Sequence, residues 1–199
     1  MIRNVIFDVG NVLFDYDWHK PFRDHGVPDE DIQRIGQEIF HDDIWLKWDA
    51  GLCTLEEARD YYINKHPLDA AAVNCFMDHI DEIRIDRPRV WERIPVLKSR
   101  GYGLYILSNY SRELFEAHTK GLRFMEEFDG RIVSYEVHYL KPQDEIYECL
   151  LRRYDLKAKE CIFFDDRKEN TDAAEKLGIE AVTIYSQEQL LDEIKKLLP

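Results

Sequence analysis

A few positions carry side chains suited to moving a charged group. Asp8 ends the short apolar run Asn4-Val5-Ile6-Phe7, and Ser108-Asn109 follow the run Gly103–Leu107. Lys141 precedes Pro142, and Asp165-Asp166 close the run Cys161-Ile-Phe-Phe164. Carboxylates are hard oxygen ligands that suit Mg²⁺, an ion that keeps several waters and also takes phosphate oxygens. Lysine and backbone amides neutralise a phosphoryl group. A carboxylate aimed at phosphorus can attack it and form an aspartyl-phosphate.

Such residues act together only if the fold gathers them. The apolar runs are short and nearly continuous, as in strands buried on both faces. From position 88 onward, strand and helix patterns alternate. A helix through Val90, Ile94 and Leu97 ends at Gly101 before the strand Gly103–Leu107. A polar helix starts at Ser111, and Arg131–Ser134 is a short strand. Pro142 opens a helix through Ile146, Leu150 and Tyr154, the Cys161–Phe164 strand follows, and a helix stops at Gly178. The strand Ala181–Ile184 and an amphipathic helix with Leu190, Ile194 and Leu197 finish the chain. This alternation predicts an α/β fold, a Rossmann-like doubly wound parallel sheet. In such sheets ligands bind beyond the carboxyl ends of the strands, where Asp8, Ser108-Asn109 and Asp165-Asp166 stand.

Between 15 and 87 the texture differs. Ile32, Ile35, Ile39 and Phe40, then Leu55, Ala58, Tyr61 and Tyr62, recur at helical spacing among many charges. Pro28 before Asp29-Glu30-Asp31 marks a helix start, and Thr54 with Glu57 forms a capping-box pattern. The expectation is a core of residues 1–14 and 88–199 with a small all-helical cap, 15–87, inserted after the first strand.

The chain has 199 residues, 45% hydrophobic and 34% charged, enough apolar material for a real core. Its 27 basic and 40 acidic residues give a net charge of −13, which disfavours nucleic acid and anionic membrane surfaces as partners. No apolar run approaches the roughly 18 residues of a membrane span. The four cysteines form no CxxC pair, and the reading is a cytoplasmic protein, monomer or homodimer, acting on a small phosphorylated molecule.

Phe7-Asp8-Val9-Gly10-Asn11-Val12-Leu13, Ile106-Leu107-Ser108-Asn109, Lys141-Pro142 with Ile146-Tyr147, and Phe163-Phe164-Asp165-Asp166 resemble the four ordered motifs of the haloacid dehalogenase superfamily. The resemblance covers nearly the whole chain, cap included. The Asp-x-Gly-Asn-Val opening and the Phe-Asp-Asp-x-x-x-Asn-x-x-x-Ala ending look most like the small bacterial glucose-1-phosphate phosphatase group. The resemblance implies a Mg²⁺-dependent phosphoric monoester hydrolase with Asp8 as nucleophile and metal ligand. It further implies Lys141 as partner of the nucleophile and of the phosphoryl oxygens, and Ser108 and Asn109 as phosphate-binding residues. Asp166 and the Gly10 carbonyl become metal ligands, with Asp165 and Asn170 behind them or, for Asp165, as an alternative ligand.

One departure bears on mechanism. Phosphatases of this family usually carry a second aspartate two residues after the nucleophile, as general acid and base. Here that position is Gly10, and losing such a group costs ~10²–10⁴ in rate. Asp15 or Asp17 could substitute, the enzyme could be slow, or the substrate could have a leaving group that needs little protonation. The last is preferred: an anomeric hydroxyl or an acyl group leaves more readily than an ordinary alcohol, which points to sugar-1-phosphates and acyl phosphates. A 2-haloacid dehalogenase, or a weakly catalytic phosphate- and metal-binding protein, are the alternatives. Trp45, Trp48 and Gly51 are candidates for lining the substrate pocket from the cap, helix packing accounting equally well for the tryptophans. The histidines are read as surface or core residues, with only His138 close to a motif.

Overall fold

The computed structural model describes residues 1–198, apart from the side chains of Gln37 and His41. Among these residues seven strands form: β1 (Asn4–Phe7), β2 (Phe14–Tyr16), β3 (Arg84–Asp86), β4 (Gly103–Ser108), β5 (Gly130–Val133), β6 (Cys161–Asp165) and β7 (Glu180–Thr183). Five of them form one sheet in the order β5-β4-β1-β6-β7, every pair parallel. The chain runs outward from β1 through β4 to β5, then crosses back to β6 and β7. The order therefore reverses beside β1, which is the doubly wound arrangement.

Alternation along the strands sorts side chains onto two faces. Val5, Phe7, Leu104, Ile106, Ile162 and Phe164 belong to one buried cluster, and Ile6, Tyr105, Leu107, Ile132, Cys161 and Phe163 to the other. Burial on both faces explains why these strands read as continuous apolar runs.

Five helices lie between β2 and β3: α1 (Lys20–Asp24), α2 (Asp29–His41), α3 (Asp43–Asp49), α4 (Leu55–Lys65) and α5 (Ala70–Asp78). α4 opens with the expected capping box. Thr54 Oγ1 accepts from Glu57 N at 3.1 Å, and Thr54 N donates to Glu57 Oε2 at 2.8 Å. The segment 15–87 is not wholly helical, however. β2 and β3 pair antiparallel, Phe14 with Asp86 and Tyr16 with Arg84, where the chain leaves the sheet and returns. Three residues per strand are too few for a period-two pattern to emerge from the surrounding charges. The cap helices share the apolar cluster of one sheet face: Phe22, Ile35 and Phe76 join Val12, Leu13 and Phe14.

The remaining helices are α6 (Pro88–Trp91), α7 (Ile94–Ser99), α8 (Arg112–Thr119), α9 (Ser134–Val137), α10 (Asp144–Arg153), α11 (Lys168–Lys176) and α12 (Gln187–Lys196). Pro142 does not open α10. Its first helical residue is Asp144, and Gln143 is the extended cap residue with φ −65° and ψ 134°. No helix among the described residues is long and apolar enough to cross a membrane.

Candidate active site

Strands β4, β1 and β6 are neighbours and end together, so the residues at their carboxyl ends meet. Asp8 follows β1, while Ser108 and Asp165 are the last residues of β4 and β6. Asp8 N donates to Phe164 O at 2.9 Å, which continues the β1–β6 ladder and fixes the Asp8 backbone. Ser108 Oγ donates to Asp8 Oδ1 at 2.6 Å.

Lys141 is buried against this edge, its ammonium donating to Asp165 Oδ2 at 2.6 Å and Leu107 O at 3.0 Å and paired with Asp8 Oδ1 at 2.8 Å. Asn109 clips its backbone in place, donating to Lys141 O at 2.9 Å and accepting from Lys141 N at 2.7 Å. Asp165 is fully buried. Its second oxygen accepts from Arg167 N at 2.8 Å and Asn170 Nδ2 at 2.9 Å. Its donors being protein groups, Asp165 orients Lys141. Among the described residues, the one side-chain donor on the Asp166 carboxylate is Asn11 Nδ2, at 2.9 Å. Asn11 adopts a left-handed φ of 51°, a conformation open to asparagine, and so turns its amide toward Asp166.

Oxygen atoms of Asp8, Asp165 and Asp166 lie within 4.8 Å of one another. Burial pushes the Asp8 carboxyl up to about 7. Lys141 pulls it back, while the charges of Asp165 and Asp166 push it further. Burial and Asp165 also raise Asp166, against the Asn11 hydrogen bond. Burial opposes the Lys141 charge, yet Asp165 and Asp8 hold its pKa above the ordinary value. The edge thus carries three close carboxylates against one ammonium, an all-oxygen donor set with excess negative charge. These residues fit Mg²⁺. Asp8, Asp166 and the Gly10 carbonyl would hold it, and Asn170 Oδ1, buried without a hydrogen-bond partner, is a further acceptor at the same edge.

Above this floor is a cavity of about 390 Å³. The floor contributes Asp8, Gly10, Asn109, Lys141 and Asp166, and the cap contributes Trp18, Phe40, Trp45, Leu46 and Asp49. Of the cap residues singled out in the sequence, only Trp45 reaches this cavity. Trp48 is buried and donates from Nε1 to Glu113 Oε2 at 3.1 Å. Gly51, with φ +66°, lets the cap approach α9: a Cβ there would stand 2.9 Å from Tyr135 O. His138 Nδ1 donates to Ala50 O at 2.8 Å, so this histidine ties cap to core.

Asp15 and Asp17 do not line the cavity. Asp15 pairs with the Arg87 guanidinium through both oxygens, and Asp17 pairs with Arg23 at 2.5 Å. Over Gly10 lies Tyr16 instead, close enough that a Cβ on residue 10 would meet its Cε2 at 2.9 Å. Tyr16 donates to the Tyr110 hydroxyl at 2.6 Å, and Tyr110 donates to His118 Nδ1 at 2.5 Å. His118 Nε2 faces the Asp81 carbonyl at 3.0 Å and must carry its proton there. Burial drops the His118 pKa to about 4 and raises both phenols.

A second grouping of ligand-type side chains, His25, His79 and Glu82, lies on the cap surface. Its two imidazoles stack face to face with centroids 3.4 Å apart, so an ion between them would stand out of both ring planes. Both rings instead share the Glu82 carboxylate.

A doubly wound sheet whose strand ends present clustered carboxylates and a buried lysine beneath a helical cover defines a group-transfer or hydrolytic enzyme. The chain belongs to the haloacid dehalogenase-like hydrolases, matching that family over residues 2–178. It is 25% identical over 197 residues to a sesquiterpene phosphatase of Aspergillus oryzae, covering 98% of this chain and 96% of that one. It is also 25% identical over 196 residues to a drimenol cyclase of Aspergillus calidoustus, of whose length it spans only 35%. A haloacid dehalogenase family enzyme of Bacteroides thetaiotaomicron, solved with magnesium and inorganic phosphate, shares the fold. Its TM-score is 0.73 at 24% identity, over 94% of this chain and 96% of that one.

Proposed function

We propose that this hydrolase is a Mg²⁺-dependent phosphatase that moves the phosphoryl group of a small phosphorylated metabolite first to Asp8 and then to water. The observation that carries this reading is the floor itself: three close carboxylates and the Lys141 ammonium beneath one cavity. Mg²⁺, when bound, draws phosphoryl charge onto itself and offsets the repulsion among the carboxylates. Asp8 attacks phosphorus. Lys141 holds one Asp8 oxygen, leaving the other free, and neutralises phosphoryl oxygens that come within its reach. Ser108 fixes the same Asp8 oxygen. Asp165 keeps Lys141 in place and Asn109 holds its backbone. The close carboxylates favour this reading over a dehalogenase, whose attack on carbon needs no metal.

Residues 15–87 act as the cap and residues 1–14 with 88–199 as the core. The substrate is a sugar phosphate, its ring covered by Trp18 and Trp45, whose faces stack on sugars. A sugar-1-phosphate is preferred, because Gly10 offers no acid beside the nucleophile and an anomeric oxygen departs with little proton help.

The test is phosphate release from glucose-1-phosphate, glucose-6-phosphate and p-nitrophenyl phosphate, with Mg²⁺ and with chelator, for wild type and Asp8→Asn. Activity that requires Mg²⁺ and Asp8 and favours the 1-phosphate is expected. Chelator-insensitive turnover rejects the metal, turnover by Asp8→Asn rejects the nucleophile, and equal rates on the two glucose phosphates reject the anomeric preference. Inertness toward all three favours a binding protein.

A further inference from the structure

An easily departing leaving group solves only half of the problem set by Gly10. The water that hydrolyses the phosphorylated Asp8 must still lose a proton, whatever the substrate was. We propose that Asp49, carried on the cap at the end of α3, is the proton-transfer residue of this site. The assignment rests on the phosphatase reading above.

Position argues first. Asp8 attacks phosphorus from the core side, so the leaving oxygen departs in line on the opposite side, toward the cap. The water of the second step enters along the same line. A group that serves both oxygens must therefore stand above the floor, and with glycine at position 10 the cap wall of the cavity is the place left for it. Among the described residues three carboxylates line that cavity: Asp8, Asp166 and Asp49. Asp8 and Asp166 belong to the floor, and Asp49 alone stands in the cap.

Asp49 is also held there. Ser134 Oγ donates to its backbone oxygen at 2.5 Å, and His138 Nδ1 holds the next carbonyl, Ala50 O, at 2.8 Å. Trp48 on one side is tied to Glu113, and Gly51 on the other lies against Tyr135. Four consecutive cap residues are thus fastened to the core around one carboxylate, and among the described residues no cation pairs with it.

Other polar groups serve less well. The Tyr16 hydroxyl hydrogen is committed to Tyr110, whose own is committed to His118, so Tyr16 presents only an acceptor to the cavity. Asp15 and Asp17 are neutralised elsewhere. Asp49 is available in both protonation states: burial raises its carboxyl to about 7, the Ser111 N–H and the Trp45 side chain hold it down, and the Asp8 charge adds to the rise.

The proton balance closes. In the first step an Asp8 oxygen bonds to phosphorus and the bond from phosphorus to the leaving oxygen breaks. That oxygen takes the Asp49 proton late, once most of the bond has broken, so an anomeric oxygen still departs more readily than an ordinary alcohol. In the second, the Asp49 carboxylate accepts a proton from water as water bonds to phosphorus. The phosphorus–Asp8 bond breaks, which restores both residues.

The experiment compares wild type, Asp49→Asn, Asp49→Glu and Asp8→Asn with Mg²⁺ on p-nitrophenyl phosphate and glucose-6-phosphate, by rapid mixing and acid quench. p-Nitrophenolate leaves without proton help. Asp49→Asn should therefore release it in a burst of about one per enzyme and accumulate phosphorylated protein. It should then turn over ~10²–10⁴-fold more slowly than wild type, the usual worth of such a group. On glucose-6-phosphate the same variant should slow without a burst. Asp49→Glu keeps the carboxyl and should recover part of the rate, which also covers the case in which the amide fails to fold. Wild-type turnover in Asp49→Asn, a defect confined to KM, or slow turnover without accumulated phosphoprotein overturns the assignment. If Asp8→Asn remains active, or wild type forms no phosphoprotein, the phosphatase reading fails instead.

Discussion

Restoring the family's usual aspartate at position 10 should harm this protein rather than improve it. In Gly10→Asp the new Cβ would stand 2.9 Å from Tyr16 Cε2 and 3.4 Å from its hydroxyl, the first closer than folded proteins tolerate. The ring cannot swing freely, because its hydroxyl is bonded to Tyr110 at 2.6 Å and Tyr110 to His118. Overpacking of this kind costs ~1–3 kcal/mol. At ~2–4 °C per kcal/mol for a chain of this size, Tm should fall by about 2–12 °C. Trimming the ring in Tyr16→Ala carries its own cost, which recurs in the double variant and cancels in the cycle. The double variant should therefore show a favourable coupling of ~1–3 kcal/mol, because the clash exists only when both native Tyr16 and a side chain at 10 are present. Thermal melts of the four proteins measure it, and glucose-6-phosphate turnover in the folded double variant tests whether the new carboxyl assists departure. An additive cycle, or a Gly10→Asp protein as stable as wild type, refutes the reasoning.

Three further outcomes are expected. Lys141→Met leaves Asp8 and Asp165 buried without their cation, so unfolding free energy by denaturant should drop by ~3–5 kcal/mol, and an unchanged midpoint would contradict the pairing. Mg²⁺ at a hundred times its Kd should stabilise wild type by ~2.7 kcal/mol, and Asp166→Ala should lose most of that gain. Equal shifts in the two proteins would remove Asp166 from the metal. His118 should make stability acid-sensitive. Above its ordinary value of 6.5 it is neutral whether folded or unfolded. As pH falls from 6.5 toward about 4, the unfolded chain takes the proton that the buried ring refuses. The loss is ~1.4 kcal/mol per pH unit and ~3 kcal/mol in all. Unfolding free energies of wild type and His118→Gln should diverge over this interval, and parallel curves would exclude the buried imidazole as the cause.

The sheet was legible because its strands are buried on both faces. Val5-Ile6-Phe7 and Ile162-Phe163-Phe164 are apolar runs without alternation, each stopping at a carboxylate. That Asp8, Ser108 and Asp165 meet follows once β4, β1 and β6 are taken as adjacent and parallel. The different surroundings of Asp165 and Asp166 are visible only in space, where Lys141, Asn170 and the Arg167 N–H hold one and, among the described residues, Asn11 reaches the other. Asp49 and Tyr16 carried no sequence signal. Each sits amid charged or aromatic text that surface helices also produce, yet Tyr16 on β2 and Asp49 at the end of α3 both line the cavity. Pro142 misled because proline suits a first helical position. Here it precedes an extended Gln143, and the helix waits for Asp144.

The apolar cluster that runs from one sheet face through Val12, Leu13 and Phe14 into Phe22, Ile35 and Phe76 has a thermodynamic consequence. A cap with a core of its own would melt separately. This one shares its interior with the sheet, so neither part can expose that surface without the other. Calorimetric and van't Hoff enthalpies of unfolding should therefore coincide in a single transition, and heat should dismantle floor and cover together.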